Sequence, residues 1–246
     1  MSLILGFSAK MFFSHAEIQG WTKTLVTLLA DQPTLARDAE FFVLPSAPSL
    51  DAVATILKGT GIGWGAQYCH PEDAGPHTGD ISASVLAELG CQYVEVGHAE
   101  RRRDHHEGDD LVAATLGAIL RNAMTPVLCI GEQREAPADA VSGELVNQLR
   151  SLLGGAPPGR VILAYEPAWA IGKSEPAPVS HINAVVAALK AELAQSAGRE
   201  ASSVIYGGSA KPGLLPQLRG VVGGLFLGRF AHDPRSILSI LREHHS

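Results

Sequence analysis

Short apolar runs rich in Val, Ile, Leu and Phe alternate along the chain with longer amphipathic stretches. The runs are Leu3–Phe7, Phe41–Leu44, Ile62–Ala66, Tyr93–Val96, Pro126–Ile130, Val161–Tyr165, Val204–Tyr206 and Leu225–Leu227. Their apolarity is continuous rather than alternating, which marks strands buried on both faces and therefore a parallel sheet covered by helices. Predicted helices span His15–Leu29, Leu50–Leu57, Ala83–Leu89, Asp110–Arg121, Ala138–Leu152, Val179–Ala197, Gly213–Leu218 and Pro234–His244. Ser49 and Ser180 are expected N-caps, and Asp233-Pro234 sets a cap before a proline at the first helical position. Eight runs in 246 residues give one unit per about 31 residues, the size of a strand plus its crossover helix. The glycine- and proline-rich stretch 154–159 does not disturb that period, so it reads as a loop rather than a domain linker. The expectation is an α/β fold, a single-domain (β/α)8 barrel over residues 1–246, with its chemistry at the carboxyl ends of the strands.

Composition limits the partners. With 46% hydrophobic residues, 18% charged and a net charge of −6, neither disorder nor a nucleic-acid footprint is expected. An anionic substrate would need locally placed donors, because the overall field opposes it. Cys69, Cys91 and Cys129 are odd in number and lack C-x-x-C spacing, as reduced thiols in a cytosolic protein would. No apolar stretch approaches about 18 residues, and MSLILGFSAK lacks a basic start, so a soluble, unprocessed, cytoplasmic chain with no membrane partner is expected.

The strand ends carry the candidate chemistry. Val161–Tyr165 hands over to Glu166-Pro167, and Pro167 biases Glu166 away from helix, so a carboxylate is held where a barrel strand would deliver a base and a hinged loop would begin. Alone, that segment also reads as a surface turn. Ser8 and Lys10 follow the first strand on one side of an extended segment, and Lys10 reads either as a surface lysine or as an ammonium in the barrel mouth. His98 ends the fourth strand where Ala99-Glu100-Arg101 could begin a short helix, whose dipole would favour a neutral, hydrogen-bond-donating imidazole. A packed structural histidine is the bland alternative. Gly207, Gly208 and Ser209 follow strand seven, and Gly228 with Arg229 follows strand eight, where barrel phosphate sites recur.

Taken in order, S-x-K, GAQ with HTGDIS, YVEVGHAERR, VLCIGE, YEPAWAIGK, YGGS and GLFLGR resemble the triosephosphate isomerase family over almost the whole chain. That resemblance implies the TIM barrel and roles long known for the family: Glu166 as general base, His98 as electrophile and proton shuttle, Lys10 as electrostatic support and Glu100 beside them. It implies phosphate binding by Gly172 in the closing loop 167–177, by Ser209 and by the backbone around Gly207, Gly208 and Gly228. Tyr206 would latch the closed loop, and Thr78 would reach a second subunit in a homodimer, though it also reads as an ordinary exposed turn. Neither metal nor organic cofactor is implied.

The chain departs from the family near the substrate. Ser8 stands where the family has Asn and loses reach and an amide donor; Arg229 replaces a glycine and could either donate to phosphate or fill space. Ala99 replaces a serine, Tyr68 an asparagine, and Ser174, Glu175 and Pro176 alter the loop. Ser8 with Arg229 resembles a side branch that isomerises a four-carbon ketose phosphate, erythrulose 1-phosphate, in tetritol breakdown, whereas the main family isomerises triose phosphates in glycolysis and gluconeogenesis. A barrel that binds a sugar phosphate without turning it over is disfavoured, since Lys10, His98 and Glu166 are all present. His105-His106-Glu107, Cys69-His70 and His244-His245 lack ligand spacing and read as polar segments, Arg101-Arg102-Arg103 as a salt-bridged loop, and Cys129 as a small buried hydrophobe.

Overall fold

The structure, a computed structural model, describes residues 2–245; Met1 and Ser246, the ends of the expected 1–246 domain, lie outside the described residues. In chain order the elements are β1 (Leu3–Ser8), α1 (His15–Ala30), α2 (Pro33–Ala36), β2 (Ala39–Leu44), α3 (Leu50–Leu57), β3 (Gly63–Ala66), α4 (Ala83–Glu88), β4 (Tyr93–Val96), α5 (Ala99–Asp104), α6 (Asp109–Arg121), β5 (Thr125–Ile130), α7 (Ala138–Leu153), β6 (Ile162–Tyr165), α8 (Val179–Gln195), β7 (Ser203–Tyr206), β8 (Gly224–Leu227) and α9 (Arg235–His245). Each strand pairs in parallel with its sequence neighbours, and β8 closes on β1 from Ile4↔Gly224 to Phe7↔Leu227, making a (β/α)8 barrel.

Two apolar layers explain the continuous runs. Alternate residues point inward, where Ile4, Phe42, Val127, Ile162, Ile205 and Phe226 fill the barrel interior. Their neighbours Leu5, Val43, Val94, Leu128, Leu163 and Val204 point outward and pack under the helices. Full burial of such side chains stabilises by about 1.5–3 kcal/mol each. The barrel is thus held from both sides, and its strand ends become fixed mounting points. At the amino-terminal end Arg160 Nη2 and Tyr93 Oη donate to Glu40 at 2.7 and 2.9 Å.

Several local expectations are corrected. Ser49 occupies the cap position of α3, but its hydroxyl pairs with His15 Nδ1 at 3.0 Å instead of a helix N–H. Ser180 lies inside α8, whose N-cap is Pro178. Residues 213–218 form only a 3-10 turn over Leu215–Leu218, since Pro216 and a left-handed Gly220 leave too little chain for an α-helix. Asp233 does cap α9, accepting from Arg235 N at 3.0 Å. The capping box of α1, Ser14 with Glu17, went unread in the sequence. All three cysteines are buried and free, and burial pushes the Cys69 and Cys91 thiols up to about 12. Among the described residues no helix is long and apolar enough to cross a membrane.

Candidate active site

Lys10, His98 and Glu166 line one cavity of about 1050 Å³ at the carboxyl ends of the strands. Lys10 follows β1 with φ +46°, a left-handed conformation costly for a residue with a Cβ. It persists because Ala9 N donates to Leu44 O at 3.0 Å, while Gln67 Nε2 donates to the carbonyls of Lys10 and Leu44 at 3.1 and 2.8 Å. The bend turns Nζ toward Glu100, to which it donates at 2.6 Å. Burial works to raise the Glu100 carboxyl, but the hydrogen bond and charge of Lys10, joined by the charge of Arg103, outweigh it and hold it below its ordinary value.

His98 is the N-cap of α5 and only 4% exposed. Glu100 N–H donates to His98 Nδ1 at 3.1 Å, which occupies the Nδ1 lone pair. A neutral ring must then carry its proton on Nε2, which sits 3.6 Å from Glu166 Oε2. The loop behind is braced by Arg101–Glu107, Arg102–Asp109 and Arg103–Asp104, as the mixed charges suggested. Glu107 is nevertheless buried, not solvated as expected of the His105-His106-Glu107 segment, because Arg101 covers it.

Glu166 extends β6 by donating its N–H to Ile130 O at 2.8 Å. Its carboxylate is buried, and Oε2 has no hydrogen-bond partner among the described residues. Room for it comes from Gly207 on the neighbouring strand end, where any Cβ would overlap the Glu166 carboxylate. Gly207 also lines the cavity, and its N–H donates to Tyr165 O at 3.0 Å, in line with the sheet. Gly208 abuts Tyr206 Oη and Pro167, which leave no room for a Cβ.

The loop after Glu166 is tied down at several points. Tyr206 Oη accepts from Ala177 N at 3.0 Å, the latch expected from the sequence. Ser209 Oγ lies between the carbonyls of Ala170 and Lys173 at 2.7 and 2.9 Å, and Arg229 Nη2 donates to Gly172 O at 2.9 Å. Gly172 has φ +73°, which turns that carbonyl toward Arg229. Gly172, Ser209, Gly228 and Arg229 all line the cavity beside the catalytic candidates. Thr78 is exposed on the loop before α4, away from this cavity. On that same loop His70, His77 and Asp80 bring ligand-type atoms within 4.8 Å of one another, a grouping explained by stacking of the two rings at 3.9 Å.

Two buried carboxylates at this end were not singled out from the sequence. Glu132 follows β5 and gathers Trp169 Nε1 at 2.8 Å, His181 Nε2 at 3.0 Å and Tyr165 Oη at 3.2 Å, anchoring the start of the loop. Its signal was present, a Glu one glycine beyond the apolar run Pro126–Ile130. Glu95 points into the barrel from β4 and accepts from Ser8 Oγ at 2.8 Å. An acidic residue inside the run Tyr93–Val96 was the clue to it.

Comparison with known proteins agrees with this geometry. The family model described as triosephosphate isomerase matches residues 3–244. The L-erythrulose-1-phosphate isomerase of Pectobacterium atrosepticum is 43% identical over 246 residues, covering 98% of this chain and 95% of that protein. The triosephosphate isomerase of Thermus thermophilus is 36% identical, covering 95% of each chain, and triosephosphate isomerase 2 of Listeria innocua is 33% identical, covering 97% and 95%. With a closed eight-stranded barrel and a full-length match, the chain belongs to the triosephosphate isomerase family and is an isomerase.

Proposed function

We propose that the cavity interconverts dihydroxyacetone phosphate and glyceraldehyde 3-phosphate through an enediolate. Glu166 removes the proton from the carbon beside the carbonyl, and His98 Nε2–H polarises that carbonyl and passes a proton between the two oxygens. Lys10, held by Glu100, offsets the negative charge that develops. Gly172, Ser209, Gly228 and Arg229 surround the phosphate end, and the latched loop keeps water from the enediolate. The observation that carries this reading is the buried, unpartnered Oε2 of Glu166 lying 3.6 Å from His98 Nε2 in the shared cavity. A buried oxygen without a donor is held ready for a substrate proton.

A second reading, isomerisation of erythrulose 1-phosphate, is favoured by Ser8 in place of the family's longer Asn and by the relative that carries that substrate's name. The proton chemistry is the same. Initial rates on both substrates with one preparation test the two readings; failure on both would refute the enzymatic assignment at this cavity.

The working assembly in this proposal is a homodimer. Met11 and Phe12 are 94% and 58% exposed, Val85 and Leu89 at α4 are also exposed, and Thr78 is exposed on the loop before α4. Apolar exposure of this kind on a folded barrel suits burial against a second copy. Light scattering during size-exclusion chromatography should give twice the chain mass.

A further inference from the structure

The barrel interior contains a carboxyl that the proton transfer does not use. Glu95 is 4% exposed and sits among inward-facing groups that are otherwise mostly apolar. Its Oε2 accepts from Ser8 Oγ at 2.8 Å, and its Oε1 lies 4.0 Å from Cys129 Sγ. It stands on β4, whose carboxyl end leads into His98 at the N-cap of α5. A buried carboxyl is costly unless it is partnered, and here Ser8 is the partner. Ser8, in turn, lines the cavity.

We propose that Glu95 is a positioning residue for substrate choice: by taking the Ser8 proton it presents the Ser8 oxygen to the cavity as an acceptor for a sugar hydroxyl lying beyond the two reacting carbons. This rests on the reading of the cavity as a ketose-phosphate isomerase site. With the phosphate toward Arg229 and the reacting carbons between Glu166 and His98, a fourth carbon has to extend toward the floor formed by Ser8. A hydroxymethyl group buried there needs an acceptor, and a triose phosphate has no such group. An asparagine at position 8 would fill that space; serine leaves it open. A proton taken up by the Glu95 carboxyl can sit on Oε1, leaving Oε2 to accept from Ser8.

The test is a double-mutant cycle with Glu95→Leu, Ser8→Ala and the pair, assayed on L-erythrulose 1-phosphate and on dihydroxyacetone phosphate. Each single change should lower the ratio of kcat/KM for the four-carbon over the three-carbon substrate about tenfold, chiefly through KM. The double variant should lose no more than either single, and Glu95→Gln, whose amide oxygen still accepts from Ser8, should recover most of the ratio. Losses that fall equally on both substrates, or that add in the double variant, overturn the proposal while leaving the isomerase reading intact. Wild-type turnover of the triose but not the tetrulose overturns the proposal and the four-carbon reading together. Turnover of neither removes the isomerase reading itself. Thermal unfolding of each variant separates these outcomes from a failure to fold.

Discussion

At the amino-terminal end of the barrel Glu40 receives donors from Tyr93 on β4 and from Arg160 in the segment leading into β6. At the carboxyl-terminal end Glu166 is more deeply buried, 7% exposed, yet its Oε2 receives none among the described residues. The lower end satisfies its polar groups internally, as a structural cluster should. The upper end satisfies Glu132 and Glu95 but withholds that satisfaction from Glu166, which faces the cavity. The same eight strands therefore carry a face that serves stability and a face whose polar groups await a substrate.

The comparison breaks most visibly at Glu166. Glu166→Gln should lower kcat by roughly 100-fold or more, about 2.7 kcal/mol of barrier, with thermal unfolding little changed. An unchanged rate in a steady-state assay would take Glu166 out of the base role. Tyr206→Phe removes the acceptor for Ala177 N and should lower kcat/KM roughly fivefold, the worth of one hydrogen bond in the closed loop. Arg160→Met acts at the other end: chemical denaturation should show a loss of about 1 kcal/mol, since the pair with Glu40 is partly exposed, while kcat/KM stays at the wild-type value. A fall in activity from that variant would mean that the two ends are not separable.

The smallest effect is one of pH. Burial, joined by the Glu166 charge, raises the Glu95 carboxyl above its ordinary 4.5, against the lowering pull of the Ser8 hydrogen bond and the Lys10 charge. The folded chain therefore keeps a proton that the unfolded chain releases near that ordinary value. The stabilising contribution is full below it and is lost as pH rises toward the folded-state value. Urea unfolding of wild type and Glu95→Gln at stepped pH above 4.5 should show the wild type losing stability relative to the variant; parallel curves would place Glu95 in an ordinary environment.

Much of this architecture was legible in the chain because doubly buried strands and amphipathic helices leave different patterns. Tyr93–Val96 and Leu50–Leu57 have the bounds expected of them. Lys10, His98 and Glu166 could be singled out because each ends an apolar run, and the end of a run is where a barrel strand meets the cavity. What could not be read was pairing across strands. A doubly buried strand hides its inward set, so nothing in YVEV says that Glu95 meets Ser8 from 87 positions away. Backbone commitments were hidden too: nothing in YGGS says that the Gly207 N–H continues the sheet by donating to Tyr165 O. The helix expected at 213–218 failed for a local reason, since Pro216 and Gly220 bracket too short a span.

The seat of the Glu166 carboxylate is a missing atom on the strand next door. Position 207 would therefore score as indispensable in a scan of substitutions although nothing there reacts. Even alanine would evict the base, and lost activity at that site would measure geometry rather than chemistry.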